Sequence, residues 1–544
     1  MAEVRGAAEL DAFVQQVLEL QGVPGISVEV VETDGVLASL GCGHRDLAAG
    51  APVTAATRFE IGSISKSFLA VVLLSLAAEG KVDLDAYITK YLPWFEVRSS
   101  FAPITLRHLL QHTAGLVAGT DSIPDDWAQA WELRHTDAGS EPGTTFHYSN
   151  AGYVVLGLVA EAVTGRTAAE LVRERVLVPL AMESSTARVT HGDHEHLATG
   201  YQPLHDDRPW LPGDPLIPAP WFEVAAADGN VAATAADLGR YLRMLLGRGT
   251  LDGATILSET RFSELTESLA PGGEPSEHPS RYGLGVNIEM IDGRRCLTHG
   301  GGMVGYASFV LADLDDGFGL AVLTNAPGDS AAAELVARTG YAIIRANRDW
   351  RVLPASPRID PWLVPEADLL AGVYVTGEEQ IKISATSSGG LILIDGHGRL
   401  GWAGEGRLGC THPGWRTFHH QPDYDGAGRT WTYGGLVLRL EGPVAQPTLE
   451  IPTHWLPHIG HYRSYSPWYT SFRIVLREGA LHLVAAGGVE ACRDDPLLVE
   501  LEPGTFRIGA DPTLPERLVV GPLVNGRTIS MTRDRSAYSR TFTP

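Results

Sequence analysis

Residues 64–78, ISKSFLAVVLLSLAA, carry apolar side chains on almost every face of a helix. Such a helix cannot lie on a surface. Other elements must wrap it on all sides, so the chain around it has to form a layered domain with this segment at its centre. Gly80 closes the helix. A lysine sits inside it at Lys66, and only four of the 42 basic residues are lysine (Lys66, Lys81, Lys90 and Lys382). Arginine serves a surface as well as lysine does but stays charged and cannot act as a base. A lysine placed in an apolar helix of an arginine-rich chain therefore points to chemistry.

The flanking sequence supplies the wrapping layers. Residues 8–21 have apolar side chains at helical spacing and stop before Gly22. GISVEVVE (25–32) and GVLASLGCG (35–43) predict two strands joined at Asp34-Gly35. The region 85–275 predicts helices and loops, with helices over 104–115 and 151–165 and an extended loop over 202–222, which holds six prolines. Strand patterns return at 281–291, 296–300, 305–313 and 317–325, and a helix follows over 330–347. Strands at both ends with helices between predict one α/β domain, a largely antiparallel sheet with a helical insertion.

Four prolines between 354 and 365 mark a linker. The glycine- and aromatic-rich remainder repeats at an offset near 90 residues: LAGVY (370–374) with HIGHY (458–462), IKI (381–383) with FRI (472–474), GLILI (390–394) with GALHLV (479–484). The expected organisation is a first domain over 1–352, a linker over 353–366, and small β-barrels over 367–452 and 453–544. A single β-domain of the combined length is the alternative.

Composition removes several function classes. The 544 residues carry a net charge of −23, which disfavours nucleic acid as a partner. No run of 18 apolar residues could span a bilayer, so no membrane partner is expected. The start, MAEVRGAAELDAFVQQ, lacks the pattern of a secretory leader, so a cytoplasmic location is the expectation. The four cysteines are far apart and form no CxxC. HGDHEH (191–196) concentrates metal-binding side chains, but in a polar stretch without a spacing that would converge them, and it reads as a solvated loop. His108 and His112 are four apart without the glutamate of HExxH; His112 reads as a structural hydrogen-bonder, and Cys296 as packing. Neither a metal nor a cofactor is expected.

Three short motifs carry the chemistry. Ser63 and Lys66 form S-x-x-K at the start of the buried helix, sharing a face with Cβ atoms about 5–6 Å apart. A serine there needs a neighbouring base, and a desolvated lysine can serve. The bland alternative, a serine cap with a lysine reaching solvent, fits poorly with an all-apolar helix. Tyr148 and Asn150 form Y-x-N before the next apolar helix; tyrosine can relay a proton and asparagine can hold an amide, or the segment simply caps that helix. His299-Gly300-Gly301-Gly302 falls where a strand should be, and glycines weaken a strand unless something approaches its backbone closely; a loose bulge is the alternative.

In this order the motifs resemble those of the serine β-lactamase and penicillin-binding-protein superfamily, on the branch of class C β-lactamases, DD-carboxypeptidases and related esterases and aminopeptidases. FEIGSISK, EGKVDLDAYITKYLP, LRHLLQHTAGL and HGGGMVGYASFVL support the resemblance, which covers about residues 8–348. It implies a DD-peptidase-like antiparallel sheet with a helical subdomain, followed here by two small antiparallel, lipocalin-like barrels. It implies Ser63 as the acylated nucleophile, Lys66 and Tyr148 sharing the general-base and general-acid work, and Asn150 with Gly300 and Gly301 binding substrate. The N–H groups of Ser63 and Gly302 would form the oxyanion hole, and His299 would line the site and assist Tyr148 electrostatically. His299 stands where β-lactamases have the lysine of K-T-G, a weaker carboxylate clamp that resembles the peptidase and esterase members.

A catalytic domain followed by two barrels is similar to the D-stereospecific aminopeptidases, in which a barrel loop restricts the site. The matching segment here is 413–433, which otherwise reads as an ordinary hairpin. The expected partner is a small-molecule or short-peptide substrate, hydrolysed by a D-aminopeptidase or amidase. A carboxylesterase, an acyl transferase or peptide cyclase, and a catalytically silent binding protein are the alternatives. A homodimer is a candidate assembly.

Overall fold

The computed structural model describes residues 6–119, 125–221, 223, 225–328, 330–376, 379–393, 398–403, 406–423, 429–440, 452–489, 491–492 and 494–541. Its first 350 residues are built on an antiparallel eight-stranded sheet. In spatial order the strands are Ser280–Tyr282, Asn287–Ile291, Arg294–Met303, Tyr306–Asp313, Phe318–Thr324, Gly25–Glu32, Gly35–Asp46 and Ala51–Pro52. The N-terminal hairpin thus enters beside the last strand, Ile26 opposite Thr324.

One face of the sheet is covered by the helices Ala7–Gln21 and Ala332–Arg348, whose Leu10, Phe13, Val14, Val17, Val336 and Ile344 pack together. The periodic apolar stripe of 7–21 ends where Gly22 takes φ +64°. The other face carries the helical insertion, with the helix Ser65–Ala78 at its centre. Every residue from Phe59 to Leu74 is buried except Ser63. The all-round apolar pattern therefore does what it predicts. The expected helix over 104–115 is shorter, Leu106–Leu110, and the loop over 202–222 includes a small hairpin, Tyr201–Pro203 with Leu216–Pro218.

Two further antiparallel sheets follow. Strands between Gly372 and Leu440 close into an eight-stranded barrel, Tyr374 pairing with Leu440 at the seam. Strands between Gly460 and Arg540 form a second eight-stranded sheet whose edges meet in a single bridge, His482 to Leu497. The sequence repeat has a structural counterpart. In the first copy the Tyr374 hydroxyl donates to the Leu370 carbonyl at 2.9 Å, and in the second the Tyr462 hydroxyl donates to the His458 carbonyl at 2.7 Å. The expected boundary at 452/453 abuts residues 441–451, which lie outside the described residues.

The proline-rich loop of the first domain seats both sheets. Asp214 takes Arg416 of the first barrel at 2.7 Å, and Asp206 takes Arg463 of the second sheet at 2.7 Å. Residues 358–361 of the expected linker run along the wall of the central cavity rather than free in solvent. No helix among the described residues is long and apolar enough to cross a membrane.

Candidate active site

Ser63 lies in a 3-10 turn, Gly62–Ile64, that leads directly into the buried helix. The turn needs glycine at 62, where φ is +51° and a Cβ would stand 2.8 Å from the Gly302 nitrogen. One helical turn on, Lys66 is fully buried, and its Nζ donates to Ser63 Oγ at 2.9 Å and to the Asp228 carbonyl at 3.0 Å. The same nitrogen lies 5.1 Å from the centre of the Tyr148 ring and 5.7 Å from that of Tyr153.

The Y-x-N segment divides its labour by position. Ser149, not its neighbours, caps the helix Asn150–Thr164, its Oγ accepting the Gly152 N–H at 3.1 Å. That leaves Tyr148 and Asn150 on the cavity side with Ser63. The Tyr148 and Ser63 hydroxyls are hydrogen-bonded to each other. Burial, with the nearby Glu274 charge adding to it, holds the Tyr148 phenol well above its ordinary range, so it is protonated at neutral pH. His112 stacks on the Tyr148 ring at 4.1 Å and accepts the Ser149 N–H on Nδ1 at 3.0 Å, which fixes the ring plane.

The glycine run is a regular strand and not a bulge: Gly300, Gly301 and Gly302 pair in register with Phe309, Ser308 and Ala307. Glycine is required because this strand presses backbone to backbone on the nucleophile turn. A Cβ at Gly301 would meet the Ile61 carbonyl at 2.0 Å, and one at Gly302 would meet the Gly328 carbonyl at 2.7 Å.

His299 differs from its expected place. It is buried and does not line the cavity. Its Nδ1–H donates to the Gly300 carbonyl at 2.6 Å, so Nε2 accepts from the Tyr282 hydroxyl at 2.8 Å. Burial pulls it down to about 4, which leaves it uncharged at neutral pH. It therefore offers Tyr148 no positive charge, and it meets the site from behind, through the Tyr282 hydroxyl and with Nε2 3.9 Å from the Glu274 carboxylate.

The cavity in front of Ser63 measures about 1600 Å³. Its walls come from all three sheets. The first domain contributes Asp126 and Gln129 from the short helix Asp126–Glu132, and Asp228 and Glu274 from two separate loops, none of which sequence spacing singled out. Burial and the neighbouring Asp228 and Glu161 push the Asp126 carboxyl up to about 6.

The barrel segment 413–433 reads in sequence either as a loop restricting the site or as an ordinary hairpin. Of the segment 413–433 only His419 reaches the wall, its residues 424–428 lying outside the described residues. The second sheet supplies more, including Tyr465, Trp468 and Val489. A Cβ at Gly302 would stand 3.1 Å from the Val489 side chain, so this sheet approaches the glycine-rich strand itself. In HGDHEH, Asp193 binds Arg58 at 2.8 Å, and Cys296 is buried with its thiol pushed up to about 12.

A buried S-x-x-K turn, a tyrosine from a helical insertion and a glycine-rich strand on an antiparallel sheet define the class. The chain belongs to the beta-lactamase family, whose model matches residues 10–341. Protein flp of Staphylococcus aureus (strain MW2) is 25% identical over 328 residues, 58% of this chain; the match spans 62% of that relative's length. The octameric penicillin-binding protein homologue from Pyrococcus abyssi shares the fold over 79% of this chain and 99% of its own, with TM-score 0.57 and 23% identity. The D-amino acid amidase from Ochrobactrum anthropi SV3, solved in complex with L-phenylalanine, aligns over 64% of this chain and 99% of its own, with TM-score 0.54 and 25% identity.

Proposed function

We propose that this chain is a serine hydrolase that acylates Ser63 and cleaves amide bonds in small or short-peptide substrates carrying a free amine on a D-configured residue. The observation that carries this reading is the fully buried Lys66 Nζ at 2.9 Å from Ser63 Oγ, the one side chain left accessible in its stretch. That distance is within proton-transfer reach. In its amine form Lys66 takes the Ser63 proton as Oγ bonds to the carbonyl carbon. The N–H groups of Ser63 and Gly302 receive the oxyanion. As the C–N bond breaks, the Tyr148 phenol gives its proton to the departing nitrogen and regains one from the Lys66 ammonium. Water then repeats the sequence in reverse and frees Ser63.

The preference for an amine-bearing substrate rests on Asp126, Asp228 and Glu274 in the cavity wall. A substrate ammonium would offset the burial and the neighbouring Asp228 and Glu161 charges that raise Asp126. The likeness to a D-amino acid amidase supports the stereochemical part.

The test compares rates on D-alanine p-nitroanilide, L-alanine p-nitroanilide and p-nitrophenyl butyrate, with Ser63→Ala as the blank. Serine-dependent turnover of the D-anilide is expected. Turnover of butyrate alone moves the chain to the carboxylesterases, and activity retained by a folded Ser63→Ala variant overturns the site.

A further inference from the structure

Glu516 of the second sheet is a buried carboxylate with no part in the chemistry above, 7% exposed. Its Oε1 bonds His147 Nε2 at 2.8 Å and accepts the Ala118 N–H at 3.0 Å. Both partners belong to the first domain, and they bracket the Y-x-N segment. His147 immediately precedes Tyr148. The Ala118 carbonyl accepts the Asn150 N–H at 2.6 Å. One oxygen from the barrel thus ties the segment at both ends, directly before Tyr148 and through Ala118 at Asn150.

The attachment is firm on the barrel side. Gly139 lies so close to the second sheet that a Cβ there would stand 2.1 Å from the Thr513 carbonyl, and Arg535 pairs with Glu132 at 2.8 Å. Electrostatics support the tie. Burial alone would lower His147, but the Glu516 hydrogen bond and charge, with Asp534 and Asp511 nearby, raise it. Burial would raise Glu516, and the bond to His147 brings it down. Both shifts favour the ionised form of the pair, against the cost of burial. Asp534, flanked by Arg533 and Arg517, faces the same carboxylate.

We propose that Glu516 is a positioning residue for the reaction: through His147 and Ala118 it holds Tyr148 and Asn150 against Ser63, so the proton relay is complete only with the second sheet docked. The inference rests on Ser63 and Tyr148 being the catalytic pair. Its geometry makes a specific demand. The tie needs an acceptor oxygen at Oε1 more than it needs the negative charge, so an amide should substitute where a methyl should not.

The experiment uses the full chain and the variants Glu516→Ala, Glu516→Gln and Glu516→Asp. It records kcat and KM on D-alanine p-nitroanilide, the rate of Ser63 labelling by a fluorophosphonate, and the melting transition. Glu516→Ala should lose about ten- to a hundredfold in kcat and in labelling rate with KM within about threefold, because a reacting group displaced by about 1 Å costs that order. Glu516→Gln should stay within about threefold of wild type in kcat, its amide oxygen accepting from both donors. If the alanine variant does not fold, Glu516→Asp takes its place. Its carboxylate is one methylene short of the tie, and the same loss in kcat is expected.

Wild-type kcat and labelling in a folded alanine or aspartate variant overturns the inference alone, provided the wild type is labelled. So does a glutamine variant as slow as alanine. A wild-type protein whose Ser63 does not label overturns the reading of the nucleophile and the Glu516 inference with it.

Discussion

Gly301→Ala probes how the glycine-rich strand serves the nucleophile. The new methyl would start 2.0 Å from the Ile61 carbonyl oxygen and 2.4 Å from Ser308 Oγ. Ordinary contact begins near 3.4 Å, so the strand and the turn must part by about 1.4 Å. Neither side can yield locally. Ile61 is held from behind by its N–H to the Val231 carbonyl at 3.1 Å, and Ser308 Oγ donates to the same Ile61 carbonyl at 2.8 Å. Ile61 lies two residues before Ser63, and Gly302 follows the substituted position, so the separation opens between the two backbones assigned to the oxyanion. A shift above 1 Å predicts a loss of about a hundredfold or more in kcat. Overpacking of this kind costs about 1–3 kcal/mol of stability, too little to unfold a domain of this size.

The assay pairs kcat on D-alanine p-nitroanilide with fluorophosphonate labelling of Ser63 and a thermal melt. Gly300→Ala is the internal comparison for stability, since its Cβ would meet Phe309 at an ordinary 3.7 Å and should leave the melting temperature unchanged. A folded Gly301→Ala protein with wild-type kcat and an unshifted melt would refute the argument, because the strand would then not be pressed on the turn.

Two pH experiments follow from buried groups. His299 is lowered from 6.5 to about 4 by burial, so the stability it allows is fully present above pH 6.5 and is lost as pH falls through 4. The ceiling is roughly 3 kcal/mol. His299→Gln should flatten the fall in melting temperature over that range without abolishing it, because His420 in the first barrel has a similar shift; an unchanged slope counts against the assigned neutral imidazole. Glu60 is raised from 4.5 to about 8 by burial, so it holds a proton in the folded state that the unfolded chain has released. Its contribution is present below pH 4.5 and is lost as pH rises through 8, with a ceiling of roughly 5 kcal/mol. Glu60→Gln should therefore melt higher than wild type at pH 8 and not at pH 4.5, and equal melts at both would reject the shift.

What the sequence revealed and what it hid divide along chain distance. Ser63 with Lys66 was legible because helix pitch places residues three apart on one face, and Tyr148 with Asn150 because they flank the Ser149 cap of the next helix. The glycines at 300–302 were legible as an anomaly, although only the packing on Ile61 and Gly328 explains them. Asp126 at a helix start and Asp228 and Glu274 in two loops converge from distant parts of the chain, and nothing in their local sequence marks them. His299 was assigned to the cavity by its place in a motif. The strand turns it toward Tyr282 instead, a contact set by the pairing of three strands rather than by neighbours in sequence. The barrels were legible as a repeat, but the segment richest in aromatics is not the one that forms most of the barrel wall. Composition reports what a loop could bind, whereas docking through Asp206 and Asp214 decides where it points.

The placement of the N-terminal strand bears on how the chain is made. Gly25–Glu32 has Gly35–Asp46 on one side, but its other partner, Phe318–Thr324, lies about 300 residues later. At a synthesis rate of about 5–20 residues per second, that partner emerges roughly 15–60 s afterwards. Until then the hairpin presents an open hydrogen-bonding edge and a row of apolar side chains, Ile26, Val28 and Val30, to whatever is nearby. For that interval the hairpin Gly25–Asp46 is open to pairing with a neighbouring chain on the same polysome.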